Sequence, residues 1–443
     1  MTGKGGSWAL IAALAGFLFG FDTAVISGAE QAVQKVWSMS DALHGLAISS
    51  ALWGTVAGAL LGGWPSDRWG RRPTLIAIGV FYAISAIGSA LAWGPASFIV
   101  FRVLGGVAIG VSSVTAPAYI AEIAPREQRG RLVALFQTMI VFGILIAFLS
   151  NYLLGGLGDD GWRWMLGVVA APSLAYLVAT FKIPESPRWL YAHMGREAEA
   201  RAILAQINPA TVDETLAAIA KEAAADAQTI SWGRFFSGEF RRPITLAFLI
   251  AFFNQLSGIN AIIYYAPRIF ELTGAGASTA LLATVGIGLV NMVFTLAGLA
   301  LIDRAGRKFL MYVGSIGYIV SLGMTAWGFA SGQFALVLPF IFAFIAAHAI
   351  GQGAVIWVYI SEIFPSAARA KGQSLGAGTH WVCAAALTQV MPVILSHTPP
   401  AAIFAGFALI MVLQFIWVRA AMVETSGRSL EDVASELSGP PVG

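Results

Sequence analysis

Twelve long apolar runs constrain this chain more than any other feature. A bilayer core about 30 Å thick needs roughly 20 apolar residues per helix. That ruler places spans near 8–28, 45–65, 73–95, 97–121, 132–154, 163–182, 243–270, 278–302, 308–330, 336–362, 371–396 and 400–420. Backbone inside lipid must satisfy its own hydrogen bonds, which leaves helices or a closed barrel. Barrel strands would show alternating stretches of about 10 residues, whereas these runs are continuously apolar and longer. Of the 443 residues, 58% are hydrophobic and 11% charged, against about 25% charged in a soluble chain. A soluble multidomain enzyme is excluded, and so is a disordered chain, which needs high charge. The expected class is an all-α membrane protein of twelve transmembrane helices.

Lys and Arg in short loops set orientation. With the N-terminus inside, inner loops hold Arg68, Arg71 and Arg72, then Arg126, Arg129 and Arg131, then Arg304, Arg307 and Lys308, then Arg369 and Lys371. The outer loops hold only Lys35, Arg163 and Arg268. Both termini are therefore expected in the cytoplasm. The first run lacks a small-residue cleavage site and reads as a retained span. The net charge of +3 comes mostly from this membrane-flanking Arg, so no nucleic-acid partner is expected. The single cysteine, Cys383, allows no internal disulfide or Cys-based metal cluster. No phosphate loop, metal-ligand cluster or nucleophile set appears, so the chain reads as no enzyme, with no metal site and no cofactor.

Repeats divide the chain. SDRWGRR at 66–72 matches IDRAGRK at 302–308, and YIAEIAPREQRGR at 119–131 matches YISEIFPSAARAK at 359–371. Glu185 and Arg188 after span six answer to Glu424 and Arg428 after span twelve. The expected domains are a six-helix half (1–182), cytoplasmic linker helices (183–242), a second, parallel six-helix half (243–420) and a cytoplasmic tail (421–443). Parallel halves about an axis along the membrane normal suit a transporter that alternates access around a midplane site. The charges recur at matching places. Asp67, Arg71, Glu122, Arg129 and Glu185 in one half, with Asp303, Arg307, Glu362, Arg369 and Glu424 in the other, form candidate cytoplasmic gates that tie helix ends together when that side is closed. Topology alone would explain the cations but not their acidic partners.

The motifs carry a family likeness. They are GFLFGFDTAVISGA (16–29), DRWGRR (67–72), YIAEIAP (119–125), PESPRWL (184–190), NQLSGIN (254–260), DRAGRK (303–308), WVYISEIFP (357–365) and VETSGRSLED (423–432). In this order they resemble the sugar porters of the major facilitator superfamily, which include sugar–proton symporters and glucose facilitators. The resemblance implies the major facilitator fold and alternating-access uptake of a monosaccharide across the cytoplasmic membrane by a monomer. Several positions depart from the pattern. Asn254 replaces the first of two glutamines, Gly351-Gln352-Gly353-Ala354 replaces a Gly-Pro-Gly-Pro run, and Val423 replaces a proline.

Charges in lipid are costly and usually face the bundle interior. Once the charges at the span ends are set aside, two stand clearly inside the predicted spans, Asp22 and Arg102. At 1.5 Å per residue they lie about 9 Å and 8 Å below the outer span ends, which predicts a pair. Family resemblance implies that this pair couples a proton. A packing ion pair, and hence an uncoupled facilitator, is the alternative.

Sugar hydroxyls need groups that both donate and accept, as Asn and Gln do, and aromatic faces suit the apolar faces of a pyranose. By resemblance Gln137, Gln255, Asn260, Asn291, Trp357 and Trp381 are sugar-contacting, with Asn254 and His380 beside them. Gln255 and Asn260 lie about 140° apart on an ideal helix, so they share a face only if the helix unwinds at Gly258. Trp357 and Ile144 favour glucose by resemblance, and fructose, galactose and xylose stay open. A membrane sugar sensor and a drug exporter are the readings from other classes.

Overall fold

A computed structural model describes residues 4–125, 128–226 and 230–437. Arg126 and residues 227–229 and 438–443, which the sequence reading assigned to an inner loop, the linker and the tail, lie outside the described residues. Among the described residues, twelve helices are long and apolar enough to cross a membrane. They are α1 (Lys4–Val36), α2 (Asp41–Leu61), α3 (Arg71–Ala90), α4 (Pro95–Ile123), α5 (Arg129–Leu154), α6 (Gly158–Thr180), α7 (Arg241–Glu271), α8 (Ala277–Ala305), α9 (Arg307–Ser331), α10 (Phe334–Glu362), α11 (Ser366–His397) and α12 (Pro400–Ala420). Among the described residues there is no strand.

One expectation is corrected at once. The sequence reading ends the first span near residue 28, before Glu30, yet α1 continues to Val36. Glu30 is fully buried within it. The polar stretch after Ala29 therefore stays helical, because its carboxylate has partners that no local pattern reveals.

The chain gathers into two compact units, one of residues 1–25, 50–147 and 163–229, the other of 26–49, 148–162 and 230–443. In the first unit, helices meet through small residues. Gly54 and Gly58 of α2 lie against the backbone around Val103 and Val107 of α4, and Gly106 and Gly110 of α4 against Ala51 and Thr55 of α2. A Cβ at any of the four would strike a carbonyl oxygen. Lipid tails are as apolar as leucine, so association in the membrane rests on this close packing.

The linker forms helices, as expected: Pro187–Met194, Glu197–Ile207 and Val212–Asp226. Ser186 caps the first by accepting from the Trp189 amide. Trp189, Leu190, Ala200, Leu204, Val212, Leu216 and Ile219 bury a small core between them.

The second unit has a larger apolar core, centred on Phe235, Leu246, Ile250, Tyr359, Ile360 and Phe364. Two of its spans are broken. Helix α7 divides into Arg241–Leu256 and Ile259–Glu271 at Gly258, whose φ of 86° suits glycine. Helix α10 divides into Val337–Ile350 and Gln352–Glu362 at Gly351.

Candidate functional site

The polar side chains singled out by the sequence fall into three groups in or at the ends of the spans. The first is in the first unit. Arg102 Nη1 donates to Asp22 Oδ1 at 2.8 Å, and Nη2 lies 3.4 Å from the Asp22 carbonyl oxygen. Both side chains are nearly inaccessible, at 1% and 3%. Among the described residues the other carboxylate oxygen, Oδ2, has no partner, and neither has Ser85 Oγ. Gly105 leaves the space beside them: a Cβ there would sit 3.6 Å from Oδ2 and against Ser85. The sequence had placed Asp22 about 9 Å below the end of its span. With α1 ending at Val36 it lies fourteen residues from that end, about 21 Å along the axis.

The second group is in the second unit, at the α7 break. Asn260 Nδ2 donates to Gln255 Oε1 at 2.7 Å. Gln255 Nε2 donates to Asn254 Oδ1 at 2.8 Å, and His380 presents both ring nitrogens to it at 3.2 and 3.1 Å. The break at Gly258 brings Gln255 and Asn260 together as the spacing required. His380 packs beside Trp357 and Trp381, with ring centroids 4.9 and 4.8 Å away. Three amides and a three-ring aromatic cluster thus converge. Asn254, Gln255, His380 and Trp381 are buried, whereas Trp357 is 39% exposed. Asn291 is buried on α8, where its Oδ1 lies 3.4 Å from Thr295 Oγ1. Gln137 is half-buried on α5 in the first unit.

The third group consists of two matching charge clusters, one per unit. Arg71 Nε and Nη2 grip Glu122 at 3.0 Å, while Nη1 reaches Asp67 at 3.0 Å and the Ser66 carbonyl at 2.9 Å. Arg307 repeats this with Glu362 at 3.1 and 2.8 Å, Asp303 at 3.0 Å and the Ile302 carbonyl at 3.0 Å. Glu185 accepts the backbone N–H groups of Arg71, Arg72 and Ser186. Glu424 accepts those of Arg307, Lys308, Thr425 and Ser426. Burial pushes the Glu185 carboxyl up from its ordinary value, against the pull of those N–H groups and of Arg71. The turns are held by Gly70 at φ 100° and Gly306 at φ 86°, where a Cβ would meet the Glu185 or Glu424 carboxylate. That explains glycine in both DRxGR motifs.

Of the arginines expected among the gate charges, Arg71 and Arg307 pair with Glu122 and Glu362. Arg129 is exposed beyond Pro125, and Arg369 Nη2 lies 3.5 Å from the Ser366 hydroxyl. Charge spacing identified the clusters but not which arginine closes each. Among the described residues no group of three His, Cys, Asp or Glu side chains could hold a metal ion.

A family model described as "Sugar (and other) transporter" matches residues 8–437. The chain belongs to this sugar transporter family. The arabinose-proton symporter of Bacillus subtilis is 36% identical to the transporter over 95% of this chain and 92% of its own. The glucose transporter GlcP of Staphylococcus epidermidis is 35% identical over 97% and 96%. Among solved structures, the inward open conformation of the xylose transporter XylE from E. coli matches with a TM-score of 0.86 at 30% identity, over 97% of this chain and 99% of that one. The transporter is thus an integral membrane protein with the major facilitator fold, and it is not an enzyme.

Sequence reasoning missed one charged group. Glu30, His44 and Arg268 interact at the end of the spans opposite the arginine-rich loops. The sequence pattern places Glu30 beyond the first span and Arg268 among the outer-loop cations.

Proposed function

We propose that the transporter takes up a monosaccharide together with a proton, by alternating access between its repeat-related halves, 1–182 and 243–420. Residues 183–242 join the halves on the cytoplasmic side, and 421–443 form a cytoplasmic tail. The protein lies in the cytoplasmic membrane with both termini inside, following the arginine-rich loops, and it works as a monomer.

The observation that carries the coupling is the half-satisfied carboxylate of Asp22. Arg102 neutralises it through Oδ1, while Oδ2 is left beside Ser85 without a partner. A proton can add at Oδ2 without displacing the arginine. Its arrival removes the charge that holds Arg102, and so changes the relative energy of the two conformations, as coupling requires. Across about 150 mV one proton supplies roughly 3.5 kcal/mol, or a few hundredfold accumulation at 1.4 kcal/mol per decade.

The sugar binds at the amide and aromatic cluster of Asn254, Gln255, Asn260, Trp357, His380 and Trp381, with Gln137 and Asn291 as further contacts. Planar amides match neighbouring hydroxyls as both donors and acceptors, and the indoles cover the apolar ring face. Relatives of comparable identity are named for arabinose and glucose, so overall likeness does not choose the sugar. Trp357 and Ile144 favour glucose.

The test is uptake of labelled glucose, xylose, arabinose, fructose and galactose into proteoliposomes, with and without an imposed proton gradient. Gradient-driven accumulation of one sugar is the expected result. Uptake indifferent to the gradient would make the transporter a facilitator, and binding without uptake would make it a sensor.

A further inference from the structure

A second buried ion pair lies outside both the sugar cluster and the Asp22–Arg102 pair. Glu30, near the end of α1, is fully buried. Arg268, in the second segment of α7, grips it with both sides of the guanidinium: Nε donates to Oε1 at 3.0 Å and Nη2 to Oε2 at 2.7 Å. His44, near the start of α2 and also fully buried, places Nε2 2.8 Å from Oε2. Its other ring nitrogen, Nδ1, is buried without a partner. An ionised carboxylate only accepts, so Nε2 is the nitrogen that carries hydrogen. Arg268 Nη2 also donates to Gln34 Oε1 at 2.7 Å, and Gln34 Nε2 donates to Asp41 Oδ1 at 3.0 Å. Arg268 is 23% exposed, whereas Glu30 and His44 show no exposure.

The chemistry of this arrangement is one-sided. A carboxylate taken out of water is tolerated while its charge is matched, and loss of one partner leaves a buried charge at large cost. Glu30 can therefore leave Arg268 only when water replaces it. The pair joins helices of the two repeats, 238 residues apart in sequence. A pair so buried is weakened by hydration if that end opens. Packing alone would be served by apolar side chains, without the desolvation cost of a carboxylate, a guanidinium and an imidazole.

We infer that Glu30, Arg268 and His44 form an ionic lock on the outer entrance, which holds it shut until water and substrate enter. The word outer rests on the orientation proposed above; the lock itself depends on neither sugar identity nor proton coupling. Its effect is read by a reporter behind it. In a Cys383→Ser background, Ser27→Cys places a thiol one helical turn inward of Glu30 on α1. A membrane-impermeant maleimide is applied to intact cells and to inverted vesicles. Glu30→Gln and Arg268→Gln should each raise labelling in intact cells at least about tenfold, because a buried pair that loses one partner is destabilised by more than that factor requires. Arg268→Lys, which keeps the charge but loses the two-pronged grip, should raise labelling less than Arg268→Gln does. The exchange Glu30→Arg with Arg268→Glu should return labelling toward the parent rate. The double neutral variant Glu30→Gln with Arg268→Gln should label no faster than either single variant, since both lose the same contact. Parent-rate labelling in both single variants overturns the lock. So does a double variant whose rate is the product of the two, or an increase seen only in inverted vesicles. Labelling needs no sugar, so a failure of the transport assay and a failure of the lock are separate results.

Discussion

Arg102 holds Asp22 by one oxygen: Nη1 meets Oδ1 at 2.8 Å and Oδ2 has no partner. Asp22→Asn keeps the shape of the side chain and removes its charge, so it mimics the protonated state. In the proposed cycle this variant still binds sugar and exchanges it across the membrane, but fails to concentrate it. Counterflow and gradient-driven uptake, measured side by side in proteoliposomes, separate the two. Accumulation at the wild-type level would reduce the pair to packing and leave the sugar reading intact.

Gln255 sits at the centre of the amide cluster, donating to Asn254 and accepting from Asn260. Gln255→Ala should weaken sugar binding by about 1–3 kcal/mol, because a buried hydroxyl loses its partner. It also leaves the Asn260 amide without an acceptor, so Asn260→Ala on top should cost less than the sum of the two single losses. Direct binding measured on folded, purified variants checks both points. Unchanged affinity in Gln255→Ala would remove that residue from the site.

The legible parts of this protein are those set by local physics. Twelve spans follow from the thickness of lipid, and the meeting of Gln255 with Asn260 follows from Gly258, which lets the helix break between them. The Asp22–Arg102 pair was legible because two charges in lipid need each other. Partners chosen by tertiary packing were not. Glu30 looked like the end of a span, because the residue that neutralises it comes 238 positions later. Glu122 had three nearby arginines in sequence to choose from. The fold selected Arg71, which follows the Gly70 turn, and Arg129 stays exposed.

The two charge clusters use arginine as a fork, not as a point charge. Arg71 makes two bonds to Glu122 and further bonds to Asp67 and to the Ser66 carbonyl. Lysine cannot reproduce that geometry. Arg71→Lys and Arg307→Lys should each lower stability by about 1–3 kcal/mol, as buried charge-assisted bonds are lost. The clusters share no residue and lie in different units, so the two losses should add. Thermal midpoints of the purified variants in one detergent give the comparison. A double variant no less stable than either single one would show that the clusters act as one.

Glu185 gives the transporter a pH signature outside the membrane spans. Its carboxyl is pushed above the ordinary value of 4.5 by burial, even though backbone N–H groups of Ser186, Arg72 and Arg71 favour the charged form. A raised folded-state value means that the folded protein binds this proton more tightly than the unfolded chain does. The favourable contribution is then complete below pH 4.5 and is lost as pH rises through the folded value. Glu185→Gln removes the titration while keeping one acceptor oxygen for the amides. The thermal midpoint of the wild type minus that of Glu185→Gln should therefore grow as pH falls from neutral towards 4.5, and level off below it. Midpoints measured at half-unit pH steps in one detergent test this, with Glu424→Gln as the repeat-related comparison. A difference that shrinks on acidification would mean that the N–H bonds outweigh burial and that the Glu185 carboxyl is lowered instead.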